Sequence, residues 1–291
     1  MKTQASPFIL LFRAAIPVLM AGSLNAALIA SEDFNYAGSI SGQNGGTGWS
    51  GAWAGTGAGG NLLTSGTGQS LYFGQSPALT SDGSTHVWSE SNKGNERDFT
   101  TTIPLGSQTL YFTALVRAYA VSTTGGASEA DLRFGFFTGA GASGNMRANV
   151  GISNGTLFAA ATADGYLSGD TAAGAFVDDT TYLLAMKRVG GASGAIFASL
   201  IEADGNSATL AAEPGSWQVT QPGASGVVLT SLRFLTNGDG DGGIRIDDLR
   251  IATDWDTAVA GIVVPEPSSS ALLGLGGLLL VARRRRSAIS A

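Results

Sequence analysis

Between residues 109 and 252 the chain repeatedly alternates apolar with other residues at a period of two, the pattern of half-buried β-strands. In Thr109 to Ala120, Leu110, Phe112, Ala114, Val116 and Ala118 share one face, while Tyr111, Thr113, Leu115, Arg117 and Tyr119 share the other. Similar runs predict strands at Asp131 to Thr138, Thr181 to Val189, Ala195 to Ala203, Val227 to Thr236 and Ile244 to Ala252. Turn dipeptides separate the runs, among them Asn154-Gly155, Asp164-Gly165, Asp204-Gly205 and Asn237-Gly238. No stretch of ten or more residues keeps helical periodicity. The predicted fold is therefore all-β, with two antiparallel sheets packed face to face. In the last run the apolar positions change parity, from Ile244 and Ile246 to Leu249 and Ile251, which predicts a β-bulge at Asp247-Asp248.

The two ends follow a different pattern. Lys2 and Arg13 bracket an apolar opening, and the uncharged run from Ala14 to Ser23 ends in small residues around Asn25-Ala26-Ala27. Pro17 and Gly22 interrupt it as a helix, so residues 1–27 read as a secretory signal peptide, with the body starting at Leu28. At the other end Pro265-Glu266-Pro267 precedes an uncharged stretch from Ser269 to Ala282 and then Arg283, Arg284, Arg285 and Arg286. That stretch falls short of the roughly 20 apolar residues that span a bilayer comfortably. Arg side chains can snorkel, and a cluster of them opposes translocation. The tail, residues 263–291, reads as a short transmembrane helix with a stop.

Composition narrows the classes. Of 291 residues 43 are Gly and none is Cys, with 44% hydrophobic and only 13% charged. Glycine at about twice its usual ~7% without a G-X-Y period excludes collagen, and the low charge excludes a coiled coil and an acidic disordered chain. No disulfide or thiolate chemistry is available. Setting aside Lys2, Arg13 and Arg283 to Arg286 from 16 basic residues, and Glu266 from 22 acidic ones, leaves 10 against 21 for the body, a charge near −11. Nucleic acid is excluded as a partner, because its affinity rests on Lys and Arg neutralising phosphates.

The order of parts in the tail closely resembles the PEP-CTERM sorting signal: the Pro265-Glu266-Pro267 motif, a Gly-containing apolar helix and the terminal Arg283 to Arg286 cluster. The resemblance implies recognition in the inner membrane by an exosortase-type transpeptidase, processing near the motif, and release or reattachment at the surface of a Gram-negative bacterium that makes exopolysaccharide. It covers the address and leaves the activity open. The body resembles concanavalin-like, laminin-G-like jelly rolls. Glu32-Asp33-Phe34-Asn35-Tyr36 followed by Gly45-Gly46-Thr47-Gly48-Trp49-Ser50-Gly51-Ala52-Trp53 is similar to their opening, and Ile244-Arg245-Ile246-Asp247-Asp248-Leu249-Arg250-Ile251 to their closing strand. The expected domain is a jelly-roll sandwich over residues 28–262.

Candidate chemistry is sparse. His86 is the only histidine, so poly-His metal centres are impossible, and no nucleophile elbow accompanies it. Jelly-roll retaining glycosidases space three acids as Glu-x-Asp-x-x-Glu. The chain offers Glu129-Ala130-Asp131-Leu132-Arg133-Phe134, which lacks the third acid. Trp49 and Trp53 sit in a Gly-rich loop with few apolar neighbours, and exposed indoles there would stack on sugar rings. Asn237-Gly238-Asp239-Gly240-Asp241 carries oxygen ligands at alternate positions, and Asp247 and Asp248 follow. A structural Ca2+ is the one cofactor this spacing offers. It would be held either within that loop or where Glu32 or Asp33 on the first strand meets Asp247 or Asp248 on the last.

The expected function is an exported, surface-displayed or released non-catalytic protein of the cell envelope or extracellular matrix that binds polysaccharide. The alternative is a carbohydrate-active enzyme, a glycoside hydrolase or lyase, on the same fold.

Overall fold

The computed structural model describes residues 27–36, 38–55, 63–64, 71, 87–89, 93–104, 106, 108–120, 131–139, 145–153, 155–161, 170–172, 176–177, 179–191, 194–204, 207–223, 228–237, 242–260 and 262. The predicted leader, the Asp164-Gly165 turn and the tail beyond residue 262 lie outside them. In chain order the strands are β1 (Leu28–Glu32), β2 (Gly38–Ser39), β3 (Trp49–Gly55), β4 (Leu63–Thr64), β5 (Val87–Ser89), β6 (Lys93–Pro104), β7 (Thr109–Ala120), β8 (Asp131–Phe137), β9 (Met146–Ser153), β10 (Thr156–Ala160), β11 (Asp170–Ala172), β12 (Thr181–Val189) and β13 (Ala195–Glu202). A short helix α1 (Ser207–Leu210), β14 (Val219–Pro222), β15 (Val228–Asn237), β16 (Gly242–Ala252) and α2 (Trp255–Val259) complete the described body.

Among these residues every strand pairing is antiparallel. A nine-stranded sheet runs β14-β13-β12-β7-β16-β5-β4-β2, with β1 also on β16, and a seven-stranded sheet runs β11-β10-β9-β8-β15-β6-β3. The predicted all-β, two-sheet jelly-roll sandwich is thus the observed class. The faces that alternation assigns inward meet between the sheets: Phe112 lies against Phe134 and Phe136 at 4.8 and 5.5 Å between ring centroids, and Phe134 against Phe234 at 6.0 Å. Ser153 pairs with Thr156 at the hairpin end of β9 and β10, and Gly155 takes φ 69° where a side chain would be strained; Asn154 lies outside the described residues.

The bulge sits where the parity change placed it. Asp247 pairs with Leu115 and Arg250 with Thr113, three steps on β16 against two on β7, and Asp248 takes φ 45°. The extra residue turns Leu249 and Ile251 back into the core beside Ile244 and Ile246. It also marks a change of neighbour: Ile244 to Ile246 pair with β5, whereas Leu249 to Ala252 pair with β1. The Asp247 carboxylate accepts the Asp248 N–H at 2.9 Å, satisfying a donor that the bulge frees from the ladder.

A second apolar layer was not read from the sequence. On the outer face of the nine-stranded sheet, Tyr111, Leu115, Leu183 and Ala185 are covered by Leu210, Trp255, Ala258 and Ile262. Because β7 and β12 are thus buried on both faces, their outward positions are apolar too, and the period-two signal there reports which sheet face is which without saying that both are closed.

Candidate functional site

The opening motif builds a closed clasp. Glu32, at the end of β1, is 1% exposed. Its Oε2 accepts hydrogen bonds from the Arg97 guanidinium at 2.9 Å, the Tyr36 hydroxyl at 2.7 Å and the Trp53 indole N–H at 3.0 Å, and its Oε1 accepts the Phe34 N–H at 3.0 Å. Arg97, on β6, donates further to the Gly51 and Gly45 carbonyls at 2.8 and 2.9 Å and to the Asn44 side-chain oxygen at 2.6 Å. Its guanidinium carbon lies 5.5 Å from each of the Trp49 and Trp53 ring centroids. Burial, reinforced by the hydrogen bond to Glu32, pushes the Tyr36 phenol well above its ordinary pKa. Each charge is paired and takes part in four hydrogen bonds, as a desolvated ion pair requires.

The glycines of the motif have a steric purpose in the clasp. Ser31 and Thr47 exchange backbone hydrogen bonds at 3.0 and 2.9 Å, which presses the loop against β1. A Cβ on Gly46 would lie 2.2 Å from the Ser31 carbonyl oxygen, and one on Gly48 would lie 1.8 Å from that of Ile29, both at positive φ. The Gly-rich loop is therefore a packed element.

This geometry corrects the reading of Trp49 and Trp53 as exposed sugar-stacking residues. They are 9% and 1% exposed; Trp49 stacks on Phe99 at 5.3 Å and Trp53 meets Phe234 edge-on at 5.0 Å. Their apolar neighbours come from β6 and β15, far away in sequence, so the local poverty of apolar residues misled. Packed against protein on both sides, neither ring offers a free face to a sugar.

The metal-ligand candidates divide. Asp239 and Asp241 lie outside the described residues, and Asn237 is the last residue of β15, its side chain also outside them. The first and last strands are neighbours as expected: Glu32 pairs with Leu249, and Ser31, Glu32, Asp33, Thr47, Asp248 and Arg250 line a polar cleft of about 360 Å³. The oxygens do not converge on it, however. Glu32 is committed to the clasp, while Asp247 turns to the opposite face and accepts the Leu71 and Asp248 N–H groups, both at 2.9 Å. Asp33 and Asp248 remain, with the Arg250 cation acting on Asp248. Two carboxylates beside a guanidinium supply less negative charge than the several acidic side chains of a calcium loop. Among the described residues no three His, Cys, Asp or Glu side chains are grouped to hold a metal ion. Glu32 and Asp247 are thereby removed from the first-and-last-strand arrangement, which retains Asp33 and Asp248.

The acid signature can also be placed. Glu129 and His86 lie outside the described residues. Asp131 heads β8, and Phe134, at the position of the third acid, points into the inter-sheet core.

The outer face of the seven-stranded sheet is partly covered: Phe137, Met146, Asn149, Phe158 and Ala160 are buried there, while Glu96, Arg133, Arg147 and Arg233 are half-buried and Asp98 is exposed. Opposite the core-facing Leu132, Phe134 and Phe136, outward positions pair across the strands as Glu96, Arg233, Gly135, Asn149 and Ala160, and in the next row as Leu235, Arg133, Gly151 and Phe158. Arg233 forms an ion pair with Glu96 at 2.5 Å and lies 4.9 Å from the Phe137 ring centroid, and Ser231 donates to Glu96 at 2.8 Å. Burial first, and the neighbouring Glu96 charge second, raise the pKa of the Asp98 carboxyl on this face. Asn149, fully buried, has neither amide atom hydrogen-bonded among the described residues. No sequence signal singled out this face, because its glycines and charges read as turn and surface.

Residues 263–286 match the PEP-CTERM protein-sorting motif. The match includes Pro265, Glu266, Pro267 and Arg283 to Arg286, and it implies an exported protein recognised by an exosortase and sorted to the envelope of a Gram-negative bacterium. Among the described residues no helix is long and apolar enough to cross a membrane, and the tail lies outside them. A search of curated proteins finds no match. Among solved structures, the globular domain of T. cruzi calreticulin is similar over 87% of this chain and 100% of its own, at 10% identity and a TM-score of 0.48. The Emp47p carbohydrate recognition domain is similar over 77% and 96%, at 9% identity and a TM-score of 0.42. An alginate lyase from Corynebacterium sp. is similar over 66% and 76%, at 10% identity and a TM-score of 0.37.

Proposed function

We propose that this is a non-catalytic protein of the cell envelope or extracellular matrix, handed to an exosortase by its tail, whose sandwich binds polysaccharide through the partly exposed charged residues on the outer side of the seven-stranded sheet. The observation that carries the reading is the sorting motif at residues 263–286 joined to a folded β-sandwich. Two features of the body support its second half. On the outer face of the nine-stranded sheet the second apolar layer covers Tyr111, Leu115, Leu183 and Ala185, whereas on that of the seven-stranded sheet Arg133, Arg147, Arg233, Glu96 and Asp98 keep partial or full exposure beside the buried Phe137, Met146 and Phe158. Guanidinium groups donate to sugar hydroxyls and carboxylates, and the carboxylates accept from sugar hydroxyls. The absence of catalysis is supported by Phe134, a core residue where a jelly-roll glycosidase of the three-acid pattern needs a carboxylate.

Sedimentation of the purified body with a panel of neutral, uronic-acid-containing and sulfated polysaccharides tests binding. Arg133→Ala with Arg147→Ala lowers retention roughly tenfold or more, since each charge-assisted hydrogen bond contributes about 1.5–3 kcal/mol. Retention equal to the unaltered protein removes this face from the reading. Release of new reducing ends or unsaturated uronates from any polymer would make the protein an enzyme.

A further inference from the structure

The sorting motif begins almost without a linker. Ile262 is 6% exposed and belongs to the second apolar layer, and its N–H donates to the Val259 carbonyl at 3.1 Å. The segment before it is fixed at several points. Asp254 caps α2 by accepting the Thr257 N–H at 2.9 Å, the Thr113 hydroxyl donates to the Ala258 carbonyl at 2.7 Å, and the Trp255 indole donates to the Leu210 carbonyl at 2.9 Å. Only Val263 and Val264 separate Ile262 from Pro265. Three residue steps span at most about 11 Å even when fully extended.

Pro265 and Pro267 restrict their own φ and push Val264 and Glu266 toward extended backbone, so the motif favours an extended strand. An enzyme that binds such a strand in a cleft takes hold of residues on both sides of the motif. On the amino-terminal side those residues are 262 to 264, and the first of them is packed under α2. Occupation of the cleft and docking of Ile262 therefore compete for the same few residues.

We propose that the processing enzyme acts on the state in which the segment 254–262 has lifted from the outer face of the nine-stranded sheet, so that this anchor sets how fast the tail is processed. The proposal rests on the sorting reading above. Local opening of a terminal segment costs less than global unfolding, and the apparent affinity of the enzyme falls in proportion to the small open fraction. Any change that frees residues 262 to 264 removes that handicap.

Pulse–chase in the native host, with the intact mass of the full chain as the readout, compares the unaltered protein with Ile262→Ser and with a six-residue Gly/Ser insertion between Ile262 and Val263. Both variants mature several-fold faster. Leu200→Ala, a core truncation remote from the anchor, matures at the unaltered rate, which separates local lifting from general loosening. If the insertion leaves the rate unchanged while replacement of Arg283 to Arg286 by Ser blocks maturation, the anchor proposal falls and the sorting reading stands. If the Arg replacement matures like the unaltered protein, or if none of the chains is processed, the sorting reading falls and the anchor proposal falls with it.

Discussion

The two ends of the described body are held by different physics. At the start, residues 31 to 53 close around a desolvated ion pair, with Glu32 and Arg97 sharing hydrogen bonds with Tyr36, Trp53, Asn44 and two carbonyls. At the end, residues 254 to 262 lie on an apolar layer with one side-chain hydrogen bond to β7 and one to α1. An ion pair in a dry site is rigid because either charge left alone is expensive, so the start opens with the whole domain or not at all. An apolar cap weakens in small increments with the area it uncovers, so the end can lift while the sandwich stays folded. The difference places the end held by apolar contact next to the sorting motif.

Breaking the start has the largest effect. Arg97→Ala leaves the Glu32 carboxylate buried and uncompensated, and it costs about 3–5 kcal/mol in urea unfolding. Glu32→Leu combined with Arg97→Met costs less than Arg97→Ala alone, because no isolated charge remains. Equal losses for the single and double variants would mean that the two groups do not act as a pair. Gly48→Ala follows at about 2–4 kcal/mol, from a positive φ and a Cβ 1.8 Å from the Ile29 carbonyl oxygen. Gly51→Ala, also at positive φ but with nothing within 4 Å, costs only about 1 kcal/mol and separates strain from collision.

At the other end, Ile262→Ser costs about 2 kcal/mol or less, the transfer energy of one buried side chain. Hydrogen exchange sharpens the contrast: amides of Thr257 to Ile262 exchange well before those of Ser31 and Thr47, in the unaltered protein and more so in the variant. Simultaneous exchange of the two regions would remove the distinction.

The smallest effect concerns the loop that lies beside the end segment. Burial alone would raise the pKa of the Glu213 carboxyl, but hydrogen bonds from Lys187 and Tyr111, the Lys187 charge and Trp217 outweigh it and hold that pKa below the usual carboxylate value. A depressed carboxyl pKa contributes stability above the unfolded pKa, and that contribution is lost as pH falls through the folded one. Stability measured from pH 6 down through pH 4 into the acid range therefore shows a small loss that Glu213→Gln abolishes. An unchanged acid slope in Glu213→Gln would show that Lys187 and Tyr111 do not act through this carboxylate.

Strand positions were legible where one face is apolar and the run is long. β7 and β12 occupy the predicted residues, and β13, β15 and β16 differ by one or two at their ends. The bulge was legible too, because a one-residue slip reverses the facing of every later side chain. β6, β9 and β10 were not: β6 opens with Lys93, Glu96, Arg97 and Asp98, and the outward positions of β9 and β10 mix Asn149 and Gly151 with the apolar Phe158 and Ala160, which blurs a period-two pattern. The site fared less well. Arg97 carried no signal as the partner of Glu32, since the two are separated by 65 residues.

The sequence by itself determined the addressing tail, the sandwich class and the parity break in the last strand, because each is written in neighbouring residues and read by local geometry or charge. Only the tertiary structure decided that Trp49 and Trp53 are core, that Glu32 and Asp247 are spent on internal hydrogen bonds, and that Ile262 is packed two residues short of Val264-Pro265. In each case burial and pairing depend on what distant strands bring to the same place, and alternation along one strand carries no record of which strand will lie beside it.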